Sequence, residues 1–281
     1  MTISSHLTAV FTSPELAARI DRAEGRLCAA FARESPQARV IEVAGGVAVF
    51  VERHAPSNKL IGAGFAGRAD DSVLAGIEAH FARHGARLQA EVSTLADPAL
   101  HRQLVERGYL PSGFENVLGH PLRDVVPPSG DRITVEPLSA SDLETLADVM
   151  AEGFAHPDTG GVGGDELPPV DEIRRAFLGT WRTTGVRGYI ARIDGVVVGG
   201  AVLRIDDDGV AQFGGAATLP AFRRRGVQTA LLRARLAVAE RAGCDIAVVV
   251  TQPASKSQQN VQREGFSLLY ARQLLVKGPP A

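Results

Sequence analysis

Two stretches of this chain repeat one another at long range, and that repetition narrows the possible folds more than any other feature. His84-Gly85-Ala86-Arg87-Leu88-Gln89-Ala90-Glu91-Val92-Ser93-Thr94 aligns with Ala242-Gly243-Cys244-Asp245-Ile246-Ala247-Val248-Val249-Val250-Thr251-Gln252, which puts Gly85 and Gly243 158 residues apart. Downstream, Leu104 to Tyr109 aligns with Val261 to Phe266, and Gly108 and Gly265 stand 157 residues apart. Each copy reads strand, helix, glycine, aromatic, terminal strand. Two matches in register argue for a duplicated fold. Between the copies, Asp124 to Asp131 carries two prolines and a glycine, which interrupt the apolar periodicity and mark a boundary. The predicted domains are residues 1–125 and 131–281.

Composition limits what such a duplicated chain can do. A length of 281 residues with 45% hydrophobic residues suits two modest domains with real cores, which excludes disorder as the main state. The 30 Lys+Arg against 32 Asp+Glu leave a net charge of -2, so no global footprint for nucleic acid is expected. The two cysteines, Cys28 and Cys244, make neither a disulfide framework nor a metal ligand set, so no metal is expected and a cytoplasmic setting is. The opening residues lack a basic segment followed by an apolar one, and apolar runs such as Val196 to Leu203 fall short of the ~20 residues needed to span a bilayer. Neither a signal peptide nor a membrane partner is expected.

Periodicity predicts the elements. In the first half these are a helix from Pro14 to Arg33 capped by Ser13, short strands over 39–43, 47–52 and 60–66, a helix over 70–83, a strand over 87–92 and a helix over 98–106. In the second half, strand 133–137 precedes a helix capped by Ser141 and a second helix over 171–181. A three-stranded meander follows over 188–193, 196–205 and 210–219, with Asp206 to Gly209 read as a turn. Helix 227–242, strand 245–250, helix 256–264 and strand 268–277 complete the chain.

The segment that carries chemistry is Thr218 to Leu232, a strand end, a basic loop and the start of a long helix. Free N–H groups at a helix N-terminus, the helix dipole and a glycine permitting close approach form a cradle for pyrophosphate, and Arg223, Arg224 and Arg225 add charge. A P-loop of the G-x-x-x-x-G-K-[ST] type is absent. Gly160 to Gly164 reads as a flexible loop, since no strand precedes it and Pro168-Pro169 follows.

The run Arg223-Arg224-Arg225-Gly226-Val227-Gln228 resembles the coenzyme A pyrophosphate loop of the GNAT acetyltransferase superfamily, [RQ]-x-x-G-x-[GA], with Gln228 departing from the final small residue. Gln258 to Phe266 is similar to the family's asparagine helix ending in Gly-Phe, and Tyr270 falls where many members carry a tyrosine facing the coenzyme A sulfur. The resemblance covers most of residues 133–277. It implies an α+β (mixed α/β) fold made of two tandem GNAT-like domains, each a mixed, mostly antiparallel sheet flanked by helices. It also implies acetyl-CoA as cosubstrate, bound by Thr218, Leu219, Arg223, Arg224, Arg225, Gly226, Val227, Gln228, Thr229 and Asn260. The first half looks like the same fold without this site. At the equivalent turn it reads Gly67-Arg68-Ala69-Asp70-Asp71-Ser72, and like charges ~4 Å apart repel by about 1 kcal/mol even in water. Its expected role is to cover the catalytic half or wall the acceptor pocket.

The implied reaction is attack of an acceptor amine on the thioester, with backbone N–H groups of a splayed strand stabilising the oxyanion and Tyr270 protonating the departing thiolate. A phenol at ~10 against a thiol at ~8.5 makes that transfer possible but weakly driven. Gln212 stands where some members carry a carboxylate, which leaves water, Glu152 or His156 as base. Cys244 reads as packing rather than a nucleophile. The acceptor pocket is expected along residues 156–169, where Asp158, Asp165 and Glu166 suit an amine borne by a small molecule or a protein. The competing reading is a non-catalytic acyl-CoA-binding or regulatory module on the same fold.

Overall fold

The computed structural model describes residues 10–33, 35–123, 125, 132–157, 169–183 and 185–278. In chain order the elements are α1 (Pro14–Ala32), β1 (Arg39–Val43), β2 (Gly46–Phe50), β3 (Lys59–Ile61), α2 (Asp71–Arg83), β4 (Leu88–Ser93), α3 (Pro98–Glu106), β5 (Leu110–Pro121), β6 (Thr134–Pro137), α4 (Leu143–Ala155), α5 (Val170–Arg182), β7 (Val186–Ile193), β8 (Val196–Ile205), β9 (Val210–Thr218), α6 (Val227–Arg241), β10 (Ile246–Thr251), α7 (Lys256–Arg263) and β11 (Ser267–Lys277). The α+β class is as expected, and so is nearly every element. Two differ. The predicted strand 60–66 stops at Ile61 because Gly62 and Gly64 take φ of +70° and +92°, which no extended strand accommodates. A 3-10 turn over Ala140–Asp142 precedes α4, so Asp142 rather than Ser141 takes the cap position, without a side-chain bond.

The chain divides into two compact units, residues 11–117 with 269–281 and residues 118–268 with 1–10. The boundary departs from a split at the proline-rich linker, because the unit of residues 11–117 takes its last strand from the end of the chain, and the unit of residues 118–268 begins within β5. In the first unit the strand order is β1-β2-β3-β4-β11-β5. β11 pairs antiparallel with β4, Leu275 opposite Ala90, and Leu275 is fully buried in a core with Phe50, Leu74, Ile77 and Tyr109.

Ion pairs fix β11 in that unit. Arg272, fully buried, contacts Asp21 at 2.6 Å, Glu24 at 2.6 Å and Glu91 at 3.3 Å, and Lys59 contacts Glu91 at 2.6 Å. Four carboxylates, counting Glu115 at 3.9 Å from Arg272, face two cations. The surplus shows in their proton affinities: burial and its anionic neighbours push Glu115 up to about 7, and burial raises Asp21, whereas Arg272 and Lys59 hold Glu24 at about 2.

In the second unit the strand order is β10-β9-β8-β7-β6, antiparallel except for parallel β9 and β10. Leu118 and Leu122 join its core beside Phe213, Leu231 and Phe266, and the Leu122 N–H donates to Asp245 O at 3.0 Å. Two irregularities in this sheet position the site. β9 and β10 are in register from Val210 opposite Ile246 to Phe213 opposite Val249, and the pairing ends there although both strands run on. Between β8 and β9 the register slips between Gly200 and Val202, leaving Gly215 and Ala216 as a bulge.

Candidate functional site

Where β9 and β10 part, a cleft of about 750 Å³ opens, lined by the end of β9, the end of β10, the first turns of α6 and Asn260 of α7. All of its lining residues belong to the unit of residues 118–268. The chain enters α6 through a short 3-10 turn, Pro220–Phe222, then Arg224 at φ +61° and Gly226 at φ +89°. Gly226 is the N-cap residue, and this left-handed conformation is why it is glycine. No side chain caps the helix. The first intrahelical bond is Ala230 N–H to Gly226 O at 3.0 Å, so the N–H groups of Val227, Gln228 and Thr229 donate to no partner among the described residues. At the equivalent junction of the other half, Asp70 caps α2, and its carboxylate accepts from Ser72 N at 2.7 Å and Val73 N at 3.3 Å. One helix N-terminus is open to an anion and the other is already filled.

The side chains add to that difference. Among the described residues, the lining includes five cationic side chains, Arg223, Arg224, Arg235, Lys256 and Arg263, and no carboxylate. Their duties differ. Arg223 is a brace: its Nε donates to Thr218 O at 3.3 Å and its Nη2 to Gly153 O at 3.1 Å and to His156 O, tying the end of β9 to the end of α4. Arg225 lies over the Phe222 ring at 5.2 Å and is not among the lining residues. Arg224, Lys256 and Arg263 remain at the mouth. Gln228 Nε2 donates to Thr218 Oγ1 at 2.8 Å, so the departure from a small residue locks the loop to the strand.

Of the residues singled out from sequence, Thr218, Arg223, Arg224, Gly226, Val227, Gln228, Thr229 and Asn260 all line the cleft. Leu219 does not. Its N–H donates to Val198 O at 2.9 Å and its side chain packs near Leu146 and Met150. Tyr270 belongs to the unit of residues 11–117 and 269–281, where it is 4% exposed and donates its hydroxyl to Asp21 Oδ1 at 2.6 Å. Burial and the Asp21 carboxylate push its phenol well above the ordinary tyrosine range, which removes what driving force it had as a proton donor. Tyr270 is thus held by Asp21 within that unit and is not among the residues that line the cleft.

Of the candidate bases, His156 and Glu152, both exposed, pair with each other at 3.2 Å, while Gln212 accepts from Arg204 at 2.7 Å. Cys244 is buried, which raises its thiol, as expected of packing. Gly160 to Gly164, Asp158, Asp165 and Glu166 lie outside the described residues. No cluster of three His, Cys, Asp or Glu able to hold a metal occurs among the described residues.

Two buried polar lining residues escaped the sequence reading. Thr251 ends β10, is 5% exposed, and its hydroxyl has no hydrogen-bond partner. A buried hydroxyl left open beside a cleft is a place for a ligand's polar group, and it fits the amides of a pantetheine arm lying between the parted strands. Arg235, from the third turn of α6, is the other.

Residues 157–266 match the family model of the GNAT acetyltransferases. A GCN5-related N-acetyltransferase from Kribbella flavida superposes with a TM-score of 0.66 at 18% identity, over 95% of this chain and 96% of that one. A tandem GNAT protein from the clavulanic acid biosynthesis pathway superposes with a TM-score of 0.58 at 15% identity, over 95% of this chain and 98% of that one. A GCN5-related N-acetyltransferase from Sphaerobacter thermophilus gives 0.56 at 16% identity, over 75% and 68%. A search of curated proteins gave no match. Family model, parted parallel strands and open helix N-terminus converge: residues 157–266 match the GNAT acetyltransferase family model, in a chain with the fold of tandem GNAT proteins.

Proposed function

We propose that the cleft binds acetyl-CoA and that the unit of residues 118–268 transfers its acetyl group to an amine of a small-molecule or protein acceptor. The observation that carries this reading is a cleft lined by Arg224, Lys256 and Arg263, with no carboxylate among its described lining residues and three undonated helix N–H groups, which suits a pyrophosphate. Acetyl-CoA supplies the thioester. The N–H groups of Val227 to Thr229 hold the diphosphate, with Arg224, Lys256 and Arg263 around it, while Arg223 and Gln228 keep the loop in place. Thr251 and Asn260 offer hydrogen bonds to the arm. The Gly215-Ala216 bulge presents backbone N–H groups to the thioester carbonyl, where negative charge develops as the amine attacks. No histidine or carboxylate lines the cleft among the described residues, so the amine arrives neutral or gives its proton to water. In the other half, the Asp70 cap supports reading it as lacking a cofactor site, hence one site per chain. A cytoplasmic setting belongs to the same proposal, since Cys28 and Cys244 are unpaired and buried.

The missing base also favours a second reading, a non-catalytic acyl-CoA-binding regulatory module. Calorimetric titration with acetyl-CoA at fixed salt tests what the two share, with binding at one site per chain expected, and lost on combining Arg224→Glu with Lys256→Glu. No binding by the wild type would sink both readings. Thiol release from acetyl-CoA across a panel of primary amines separates them, since turnover supports the enzyme and binding without turnover supports the module.

A further inference from the structure

Arg235 is the one fully buried member of the five lining cations, 1% exposed. Its Nε donates to Leu231 O at 3.1 Å, its Nη1 to Val202 O at 2.8 Å and Gly214 O at 3.4 Å, and its guanidinium lies over the Phe213 ring at 4.6 Å. Those bonds cap carbonyls at the register slip between β8 and β9. They leave two things over: Nη2 donates to none of the described residues, and no carboxylate among them pairs with the charge. Burial pulls the guanidinium down to about 9, still charged at neutral pH. A capping role alone needs the N–H groups and not the cation, and a buried cation without a counter-charge is held at a penalty that an incoming anion relieves.

Which anion follows from position. Arg235 Nη1 bonds Gly214 O, next to the Gly215-Ala216 bulge that the reading above sets at the thioester carbonyl, and its Cα is nine residues along α6 from Gly226. The acyl end of the donor, rather than its phosphates, therefore comes to lie beside Arg235. We propose that this end of the cleft takes an acyl group ending in a carboxylate, of the malonyl or succinyl kind, in preference to a neutral one, with Arg235 Nη2 donating to that carboxylate. The inference rests on the coenzyme A reading above and adds a donor class to it. In the transfer itself the acceptor nitrogen forms the C–N bond, the C–S bond breaks with its electron pair going to sulfur, and the proton lost by nitrogen ends on that sulfur. The distal carboxylate stays intact and serves as the handle.

The test is calorimetry on the full chain with coenzyme A, butyryl-CoA, malonyl-CoA and succinyl-CoA at one salt concentration, for the wild type and Arg235→Met. The expected result is that malonyl- or succinyl-CoA binds the wild type at least about tenfold tighter than butyryl-CoA, as one charge-assisted hydrogen bond gives. In Arg235→Met the gap falls below about twofold while coenzyme A itself binds as before. Equal binding of butyryl-CoA and both carboxyacyl donors by the wild type overturns the inference and leaves the coenzyme A site standing. A gap that persists in Arg235→Met overturns the role of Arg235, and failure of coenzyme A to bind the wild type overturns the underlying reading as well. Should Arg235→Met not fold, the wild-type comparison decides.

Discussion

Gly226 is the position at which the binding argument is most exposed to refutation, because the two halves of the chain hold opposite solutions there. In α6 the cap is a glycine at φ +89° with the next three N–H groups undonated, and in α2 it is Asp70 with its carboxylate on two of them. Replacing Gly226 by Asn or by Asp imposes nearly the same shape and differs in charge. Both side chains tolerate the left-handed conformation better than most, so the shared strain is about 1 kcal/mol. That strain is there with or without ligand, so Asn lowers stability by about that much and acetyl-CoA affinity little. Asp adds a carboxylate beside the diphosphate, where each like-charge pair ~4 Å apart repels by about 1 kcal/mol in water and about 4 kcal/mol near a protein surface. Gly226→Asp should therefore bind acetyl-CoA about 5- to 1000-fold more weakly than Gly226→Asn. The gap should narrow in 0.5 M salt, where the Debye length drops to roughly 4 Å. Calorimetry at two salt concentrations, with thermal melts to confirm equal folding, measures both. Equal affinity of the Asn and Asp variants would refute the reasoning, since no diphosphate could then rest on this helix end.

Three further outcomes follow from the same structure. Thr251→Val should leave the ligand-free protein as stable as the wild type, since no hydrogen bond is lost, while weakening acetyl-CoA by about fivefold, read by melts and calorimetry. Tyr270→Phe should keep acyl transfer within about twofold of wild type but lower the unfolding free energy by about 1–3 kcal/mol, read by thiol release and urea denaturation; loss of turnover in a folded Tyr270→Phe would restore Tyr270 as the acid. Glu115 binds its proton more tightly folded, at about 7, than unfolded, at about 4.5, so its contribution is full below about pH 4.5 and is lost as pH rises through about 7. Glu115→Gln should accordingly gain stability over the wild type on the order of 3 kcal/mol at pH 8 and little at pH 4.5, and a pH-independent difference would refute the assignment.

What the sequence disclosed was whatever local chemistry settles. Helix α3 and strand β8 stand at the residues that Pro98 and the apolar run from Val196 to Leu203 mark, and Ser13 caps α1 with its hydroxyl on Leu16 N at 3.2 Å. The basic loop was legible for the same reason: its strand, glycine and helix are contiguous. The surroundings of Tyr270 were not, because the partner of a terminal strand is set by non-local pairing. Nothing within 267–277 says that Leu275 lies opposite Ala90, or that Arg272 meets Asp21 some 250 positions away. Arg235 carried a signal that passed unused. It falls on the buried stripe of α6 with Val227, Leu231 and Ala239, where an arginine can stand only if something meets its charge.

The contrast between the halves also bears on why only one of them is open. Both contain a parallel pair joined through a helix, β3 and β4 around α2, β9 and β10 around α6. In the first, β3 ends at Ile61 and Gly64 folds back, its N–H on Ala44 O at 2.9 Å, while its own carbonyl accepts from Asp97 N at 2.9 Å. A Cβ on Gly64 would meet Ala96 and Leu100 at 3.0 Å, so the space beside β4 is already packed. In the second, β9 runs on through the bulge to Thr218 and the gap beside β10 stays lined but unfilled. Reopening the first half would therefore take more than removing Asp70. The 62–66 turn would have to leave as well, and Asp70→Gly alone should create no second coenzyme site while costing only a few tenths of a kcal/mol in helix capping.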